Sequence, residues 1–291
     1  MPAAVTFRGM TGDDIDACLR LCRLSHWNQR AEDWQQFLRL TPGGAIVAVD
    51  ASGLVVGSVA TMRYPPSLAW IAMVLVDPAH RGGGIGTTLL QRGLSLVAND
   101  GIVGLDATPL GRPIYEKLGF VGHSEFTRMR RPAHASDHVT VARVAAERRV
   151  RLATDADRDA IARLDQEATG LDRRARLAWL QGGAPELAWV CEAESGLDGV
   201  ILGRDGHVAM HLGPLVAASS DAAIALLTAP LTACRDRDVF VDVADSQAGW
   251  RLVLDSLGFQ PQRPFTRMYR GAPPPAADES RLFAIIGPEF G

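Results

Sequence analysis

The feature that most constrains this chain is that it repeats itself. Residues 118–131 read LGFVGHSEFTRMRR and residues 257–270 read LGFQPQRPFTRMYR, with eight of the fourteen positions identical. Upstream, Arg8, Thr11, Asp14, Asp16 and Ala17 recur in the same spacing as Arg151, Thr154, Asp157, Asp159 and Ala160. In both copies a threonine followed three residues later by an acid forms a capping-box pattern, in which side-chain oxygens satisfy free N–H groups at a helix start. A third pair, Ser52-Gly53-Leu54 and Ser195-Gly196-Leu197, marks a turn between two apolar runs. The three pairs keep their order at offsets of 139 to 143 residues. One fold of about that length is therefore present twice. The expected organisation is a first domain over 1–131, a linker over 132–149, a second domain over 150–271 and a tail over 272–291. The tail opens as a Pro- and Ala-rich linker and then carries an apolar Leu282–Ile286 run that must dock somewhere.

Periodicity within each copy points to an α/β architecture with a mixed sheet flanked by helices. In the first copy, helices are expected over 13–24, 31–40, 86–98 and 112–118, with strands over 45–50, 54–63, 69–76, 102–106 and about 125–130. In the second, strands are expected over 187–193, 199–204, 207–216, 239–243 and 265–270, with helices over 221–235 and 246–257. The copies thus run in the same order.

Composition removes several function classes. With 47% hydrophobic and 22% charged residues, the chain can build sizeable cores. No apolar run approaches the 18 residues of a membrane span, and the first residues lack a secretory pattern, so a cytoplasmic protein with no membrane partner is expected. A net charge of −3 without a long basic run speaks against nucleic acid. Cys18, Cys22, Cys191 and Cys234 form no CxxC or zinc spacing and read as buried packing residues. His207 and His211, four apart on an expected strand, share no metal-binding geometry, so no metal is expected.

Chemistry concentrates in residues 70–90, WIAMVLVDPAHRGGGIGTTLL. A continuous apolar strand ends at Asp77-Pro78, Arg81 opens a Gly-rich loop, and an amphipathic helix follows. Gly82, Gly83 and Gly84 let backbone approach a ligand closely, and the N–H groups of the loop and first helical turn form a nest suited to pyrophosphate. Arg81 adds a fixed positive charge. A P-loop fails for want of a lysine after Gly86. A dinucleotide site, which would make the protein a nicotinamide-dependent oxidoreductase, matches only in part, with Asp106 as its distant acid.

The Arg-x-x-Gly-x-Gly pattern of Arg81, Gly84 and Gly86 resembles the coenzyme A pyrophosphate loop of the GNAT N-acetyltransferases. Residues 114–120, IYEKLGF, resemble the family's fourth-helix ending, where a tyrosine faces the thioester sulfur. The whole chain resembles tandem GNAT proteins whose C-terminal half is a diverged copy. The resemblance implies two tandem GNAT-like domains, acetyl-coenzyme A as co-substrate and a small-molecule primary amine as acceptor. It implies coenzyme A binding by Val74, Leu75, Val76, Arg81, Gly82, Gly83, Gly84, Ile85, Gly86 and Thr87. Backbone N–H groups near Val74 and Leu75 would polarise the carbonyl, a stabilisation of about 3 kcal/mol. Tyr115 would protonate the departing thiolate. The glutamate that many members carry on the strand before the loop is missing from Ala69–Val76. Asp106 and His26 are the candidate bases, and Arg63 and Arg112 candidate partners for an acceptor carboxylate. Aligned with the first copy, Asp221, Ile224 and Leu226 replace Arg81, Gly84 and Gly86, and Leu254 replaces Tyr115. The second copy has thus lost the nest and the tyrosine. A protein that binds acyl-coenzyme A without catalysis is the alternative.

Overall fold

The computed structural model describes residues 5–65, 68–135, 148–194, 196–274 and 278–291. Most of the expected linker, residues 136–147, and Ser195 of the second turn motif lie outside the described residues. The first half runs β1 (Thr6–Gly9), α1 (Ile15–Leu24), α2 (Ala31–Leu40), β2 (Ala45–Val49), β3 (Val55–Tyr64), β4 (Leu68–Val76), α3 (Ile85–Leu96), β5 (Ile102–Ala107), α4 (Arg112–Lys117) and β6 (Val121–Arg131). The second half repeats the order as β7 (Val150–Leu152), α5 (Arg158–Thr169), α6 (Arg174–Gly183), β8 (Trp189–Ala193), β9 (Gly196–Arg204), β10 (Met210–Ala217), α7 (Ser220–Leu231), β11 (Val239–Ala244), α8 (Ala248–Ser256) and β12 (Gln260–Arg270). The tail adds β13 (Leu282–Ala284).

All thirteen strands belong to one mixed sheet, ordered β1-β2-β3-β4-β5-β12-β6-β11-β10-β9-β8-β7, with β13 beside β10. The two halves have exchanged their last strands. β5 of the first half pairs with β12 of the second, and β11 of the second pairs with β6 of the first. Between them β6 and β12 run antiparallel with Phe126 opposite Phe265, so at the centre one repeat residue meets its own copy. These rings stack at 5.5 Å with planes 10° apart, marking a local twofold axis. One cluster of buried side chains on α1, α2, α5 and α6 is shared by both halves. The opposite faces are covered by α3 in the first half and by α7 and α8 in the second.

The repeated capping pattern has the same geometry twice. Arg8 grips Asp14 through two bonds of 2.7 and 2.8 Å, and Arg151 grips Asp157 at 2.8 and 2.9 Å. In each copy the acid also accepts from the threonine N–H, and the arginine pulls its pKa down. β1 and β7 were not expected, being short and polar, and α6 was not resolved by periodicity either. β12 begins at Gln260, five residues before the expected start, in spite of Pro261 and Pro264; the register shifts between Pro261 and Arg263. The strand expected over 207–216 begins only at Met210, leaving His207 exposed ahead of it while His211 is buried. All four cysteines are free and buried.

Candidate active site

The central gap of the first half follows from two strands that part company. β4 and β5 pair in parallel only at Leu68–Trp70 against Ile102–Gly104. Beyond Trp70 they splay, because β5 stays paired with β12 while β4 stays with β3. In the β3–β4 register Ser58 faces Leu75 and Ala60 faces Ala72, so β4 carries one extra residue there. That bulge holds Met73 at φ 56°, a left-handed conformation that a methionine adopts at a cost of about 1 kcal/mol or more. The Ser58 hydroxyl donates to the Met73 carbonyl at 2.8 Å and pins the bulge. The backbone at Val74 is thereby turned out of the ladder toward the gap, and Val74 and Val76 stay partly exposed while Leu75 is buried.

The Gly-rich loop closes the wide end of that gap. Gly82 and Gly84 both have left-handed φ, 83° and 81°, and a Cβ at Gly82, Gly83 or Gly84 would meet nothing within 4 Å. The glycines are therefore there for backbone conformation and for an open surface. α3 starts at Ile85 with no side chain capping its first turn, which leaves its first N–H groups without a side-chain acceptor. Arg81 donates from Nε to the Val76 carbonyl at 3.1 Å, fixing the loop to the end of β4. An uncapped helix start beside an arginine is an arrangement that can hold a pyrophosphate.

A half-open cavity with roughly 480 Å³ of empty space, part of it open solvent, lies against the narrow end of the gap. Its floor is Ile71–Val74 of β4. Tyr115 forms one wall, and Trp27 and Gln29 of the α1–α2 turn form another. Tyr115 is half-buried, and desolvation pushes its phenol up to about 12. The remaining polar lining comes from Asp106 and Thr108 at the end of β5, Arg263 of β12, and Glu289 near the end of the tail.

Two independent family descriptions match the chain: "Acetyltransferase (GNAT) family" over residues 13–120 and "Acetyltransferase (GNAT) domain" over residues 161–284. The chain belongs to the GNAT acetyltransferase family. A holothin acyltransferase of a Pseudoalteromonas strain is 26% identical over 91% of this chain and 87% of its own length. A solved structure from Pyrococcus horikoshii superposes with a TM-score of 0.80 at 21% identity, covering 99% of this chain and 96% of that one. A tandem GNAT protein of the clavulanic acid biosynthesis pathway superposes at 0.64 with 16% identity, over 94% and 100% of the two chains. Members of the family use acetyl-coenzyme A, which agrees with the uncapped loop.

The second GNAT half is closed twice over. At the start of α7, Ser219 accepts from the Ala222 N–H, so one of the N–H groups that would hold an anion is capped by the chain itself. Its strand gap is also filled. β10 and β11 pair only at Met210–His211 against Val239–Phe240, and the tail then enters between them: β13 pairs with β10, and the Ile285 N–H donates to the Asp242 carbonyl at 3.0 Å. Gly213 sits at the bulge equivalent to Met73, where a Cβ would lie 2.1 Å from the Ile285 carbonyl oxygen. The apolar Leu282–Ile286 run thus docks where the first half leaves its gap.

From there the tail crosses to the first half. Trp70 donates to the Pro288 carbonyl at 2.9 Å, and Tyr64 donates to the carbonyl of Phe290, whose ring is buried against Phe37. This brings Glu289 to the cavity, 5% exposed. One oxygen accepts from Arg204, which also reaches Asp33 at 3.0 Å. The arginine keeps Glu289 below the usual glutamate range, whereas burial outweighs it at Asp33 and lifts that carboxyl to about 6. Arg204 also approaches His211 Nδ1 at 3.1 Å; since arginine only donates, His211 carries its proton on Nε2, 3.0 Å from Asp242.

The candidate bases fare differently. His26 is exposed in the turn after α1, with φ 55°, and does not line the cavity; its neighbours Trp27 and Gln29 do, so the helical pattern pointed to the right turn and the wrong residue. Asp106 does line it, but Arg267 holds both its oxygens at 2.9 Å. The second half contains the same pair, Arg128 on Asp242 at 2.7 Å twice. A bidentate pair kept in the copy without a nest is a device of the strand exchange, and Asp106 is corrected from base to ion-pair partner. Arg63 pairs with Asp100, and Arg112 with Glu116 and Glu125, so neither is aimed at the cavity. The sequence reading missed Glu289, an isolated acid in a tail without periodicity. It also missed Arg263, which sits in the short polar stretch ahead of the strand expected at 265.

Proposed function

We propose that the first half transfers an acetyl group from acetyl-coenzyme A to the primary amine of a small molecule, by direct attack on the thioester. The observation that carries this reading is a cavity lined by both the bulged backbone at Met73–Val74 and Tyr115, with the uncapped helix start at Gly84–Ile85 following from the end of the same strand. When bound, acetyl-coenzyme A supplies an activated acyl carbon. The N–H groups exposed by the bulge stabilise charge that develops on its oxygen, a preorganised arrangement for which the strained Met73 is the structural cost. Tyr115 holds its proton throughout the neutral range and donates it to the departing sulfur; the burial that raises the phenol also raises the proton affinity of a thiolate beside it.

Glu289 takes the place of the missing β4 carboxylate. It is anionic at neutral pH, and only one of its oxygens is engaged by Arg204. A free alkyl amine with a pKa of about 10.4 is almost wholly protonated at pH 7, and a carboxylate that low is a weak base for it, so the acceptor attacks from its small neutral fraction, having lost its first proton to solvent. After attack the nitrogen is far more acidic, and Glu289 is then strong enough to accept its proton. The second half shapes this pocket: Asn28 is held by Ala209, accepting from the Val208 and Ala209 N–H groups at 2.8 and 2.9 Å and donating to the Ala209 carbonyl. A cavity walled by both halves and the tail suits a small acceptor better than a protein segment.

Thiol release from acetyl-coenzyme A with a panel of small primary amines tests the reading. Tyr115→Phe is expected to lower kcat about a hundredfold or more while leaving the thermal shift given by acetyl-coenzyme A intact. Unchanged kcat would remove Tyr115 from the mechanism. A thermal shift without thiol release for any amine would favour the non-catalytic binder.

A further inference from the structure

Arg263 is out of keeping with every other deeply set arginine near the cavity. Arg128, Arg204 and Arg267 each bind a carboxylate. Among the described residues Arg263 has no ion pair, hydrogen bond or ring contact. It is mostly buried and lines the acceptor cavity. Its cross-strand neighbour is Arg128, whose guanidinium is already committed to Asp242, so the nearby carboxylate is taken. Burial and that neighbour draw its pKa down to about 10, and it remains charged at neutral pH. A mostly buried charge without a direct partner costs stability, and the Asp242 and Glu289 carboxylates offset that only in part, neither being within ion-pair reach of Arg263. In the repeat its position is Ser124, so the charge is not part of the duplicated framework.

Two acceptors line the same cavity. Gln29 is 6% exposed and its Oε1 has no partner. Glu289 presents one oxygen that Arg204 does not hold. The cavity therefore offers a cation at one place, and a carboxylate and an amide oxygen at another; Arg263 and Glu289 line the same space without pairing. From this we infer that Arg263 is a specificity-determining residue and that the acceptor is an amine carrying an anionic group, a carboxylate or a phosphate. Its anion is bound by Arg263 and its amine is held by Gln29 Oε1 and Glu289. The inference rests on the acetyltransferase reading for the identity of the site, and the direction of discrimination is its own.

Two paired probes separate carboxylate from phosphate: 4-aminobutanoate against 4-aminobutanamide, and O-phosphoethanolamine against ethanolamine. Each is titrated by calorimetry and by thermal shift into the full chain saturated with coenzyme A, and assayed for thiol release with acetyl-coenzyme A. The wild-type protein is expected to bind at least one anionic probe about tenfold or more tighter than its neutral partner, the strength of a charge-assisted hydrogen bond. Arg263→Ala should abolish that ratio, chiefly through KM, leave the neutral probes unaffected, and keep the coenzyme A shift. Arg263→Ala should also raise Tm, since it removes a repulsion; an arginine with a purely structural role would lower it. Equal binding of charged and neutral probes, or a ratio unchanged in Arg263→Ala, overturns the inference even where turnover is seen. Anion-dependent binding without turnover would keep it and defeat the catalytic reading instead.

Discussion

Replacing Arg267 by methionine tests the strand exchange and the status of Asp106 together. Asp106 is fully buried, and both its oxygens are bound by Arg267 across the β5–β12 register. Arg267 is itself enclosed, with its guanidinium 5.0 Å from the Trp70 ring and 4.8 Å from the Phe126 ring. Methionine fills much of the same volume but leaves a carboxylate in an apolar setting. Breaking one side of such a pair costs about 3–5 kcal/mol, and at about 2–4 °C per kcal/mol that corresponds to a fall in Tm on the order of 10 °C. Removing both charges in Arg267→Met/Asp106→Leu should restore all but about 1 kcal/mol, because well-packed apolar pairs replace buried ion pairs with little loss. Urea unfolding followed by tryptophan fluorescence measures all three proteins. Thiol release then decides the chemistry: with Asp106 in a structural role, the double variant stays active wherever it is folded. A single variant within about 1 kcal/mol of wild type, or a double variant that folds fully and is dead, would refute the argument.

Two further outcomes follow from the tail and its network. Asp33 titrates near 6 in the folded protein against an ordinary value of 3.8; the folded state thus binds more protons than the unfolded one between those values, and stability falls as pH rises through that window, by about 3 kcal/mol in all. Asp33→Asn removes that slope, and identical pH dependence of urea midpoints from pH 4 to 7 in the two proteins would show that the residue does not titrate there. Gly213→Ala places a methyl group against the Ile285 carbonyl, so Leu282–Ile286 should leave the second gap at a cost of about 1–3 kcal/mol and take Glu289 with it. Loss of amine transfer with an intact acetyl-coenzyme A shift is expected, read alongside proteolysis of the tail; full turnover with a protected tail would show that the segment tolerates the change.

What could be read from the sequence was whatever chemistry is local. The capping boxes at Thr11 and Thr154, the glycine loop and the helix ending at Gly119 are each dictated within a few residues, and each is present. The strand exchange is not local. FTRM occurs in both copies, so β6 and β12 offer β5 nearly the same side chains, and only the three-dimensional path of the chain decides which one it meets. The same ambiguity hid the partner of Asp106, which is 161 residues away. Glu289 was invisible for a related reason: its place in the cavity that Tyr115 also lines depends on a tail threaded first through the other half, with no periodicity of its own to announce it.

The exchange also bears on how the protein must be made. As a nascent chain leaves the ribosome, the first half has all of its own sequence by Arg131, yet β5 lacks its partner until residues 260–270 have been synthesised. For the time it takes to make more than a hundred residues, an unpaired strand edge that carries Asp106 and borders Trp70 is open to any other extended chain. Until then the strand within reach is β6, which carries the same FTRM run, so the finished fold requires that β5 take β12 in place of the copy made first.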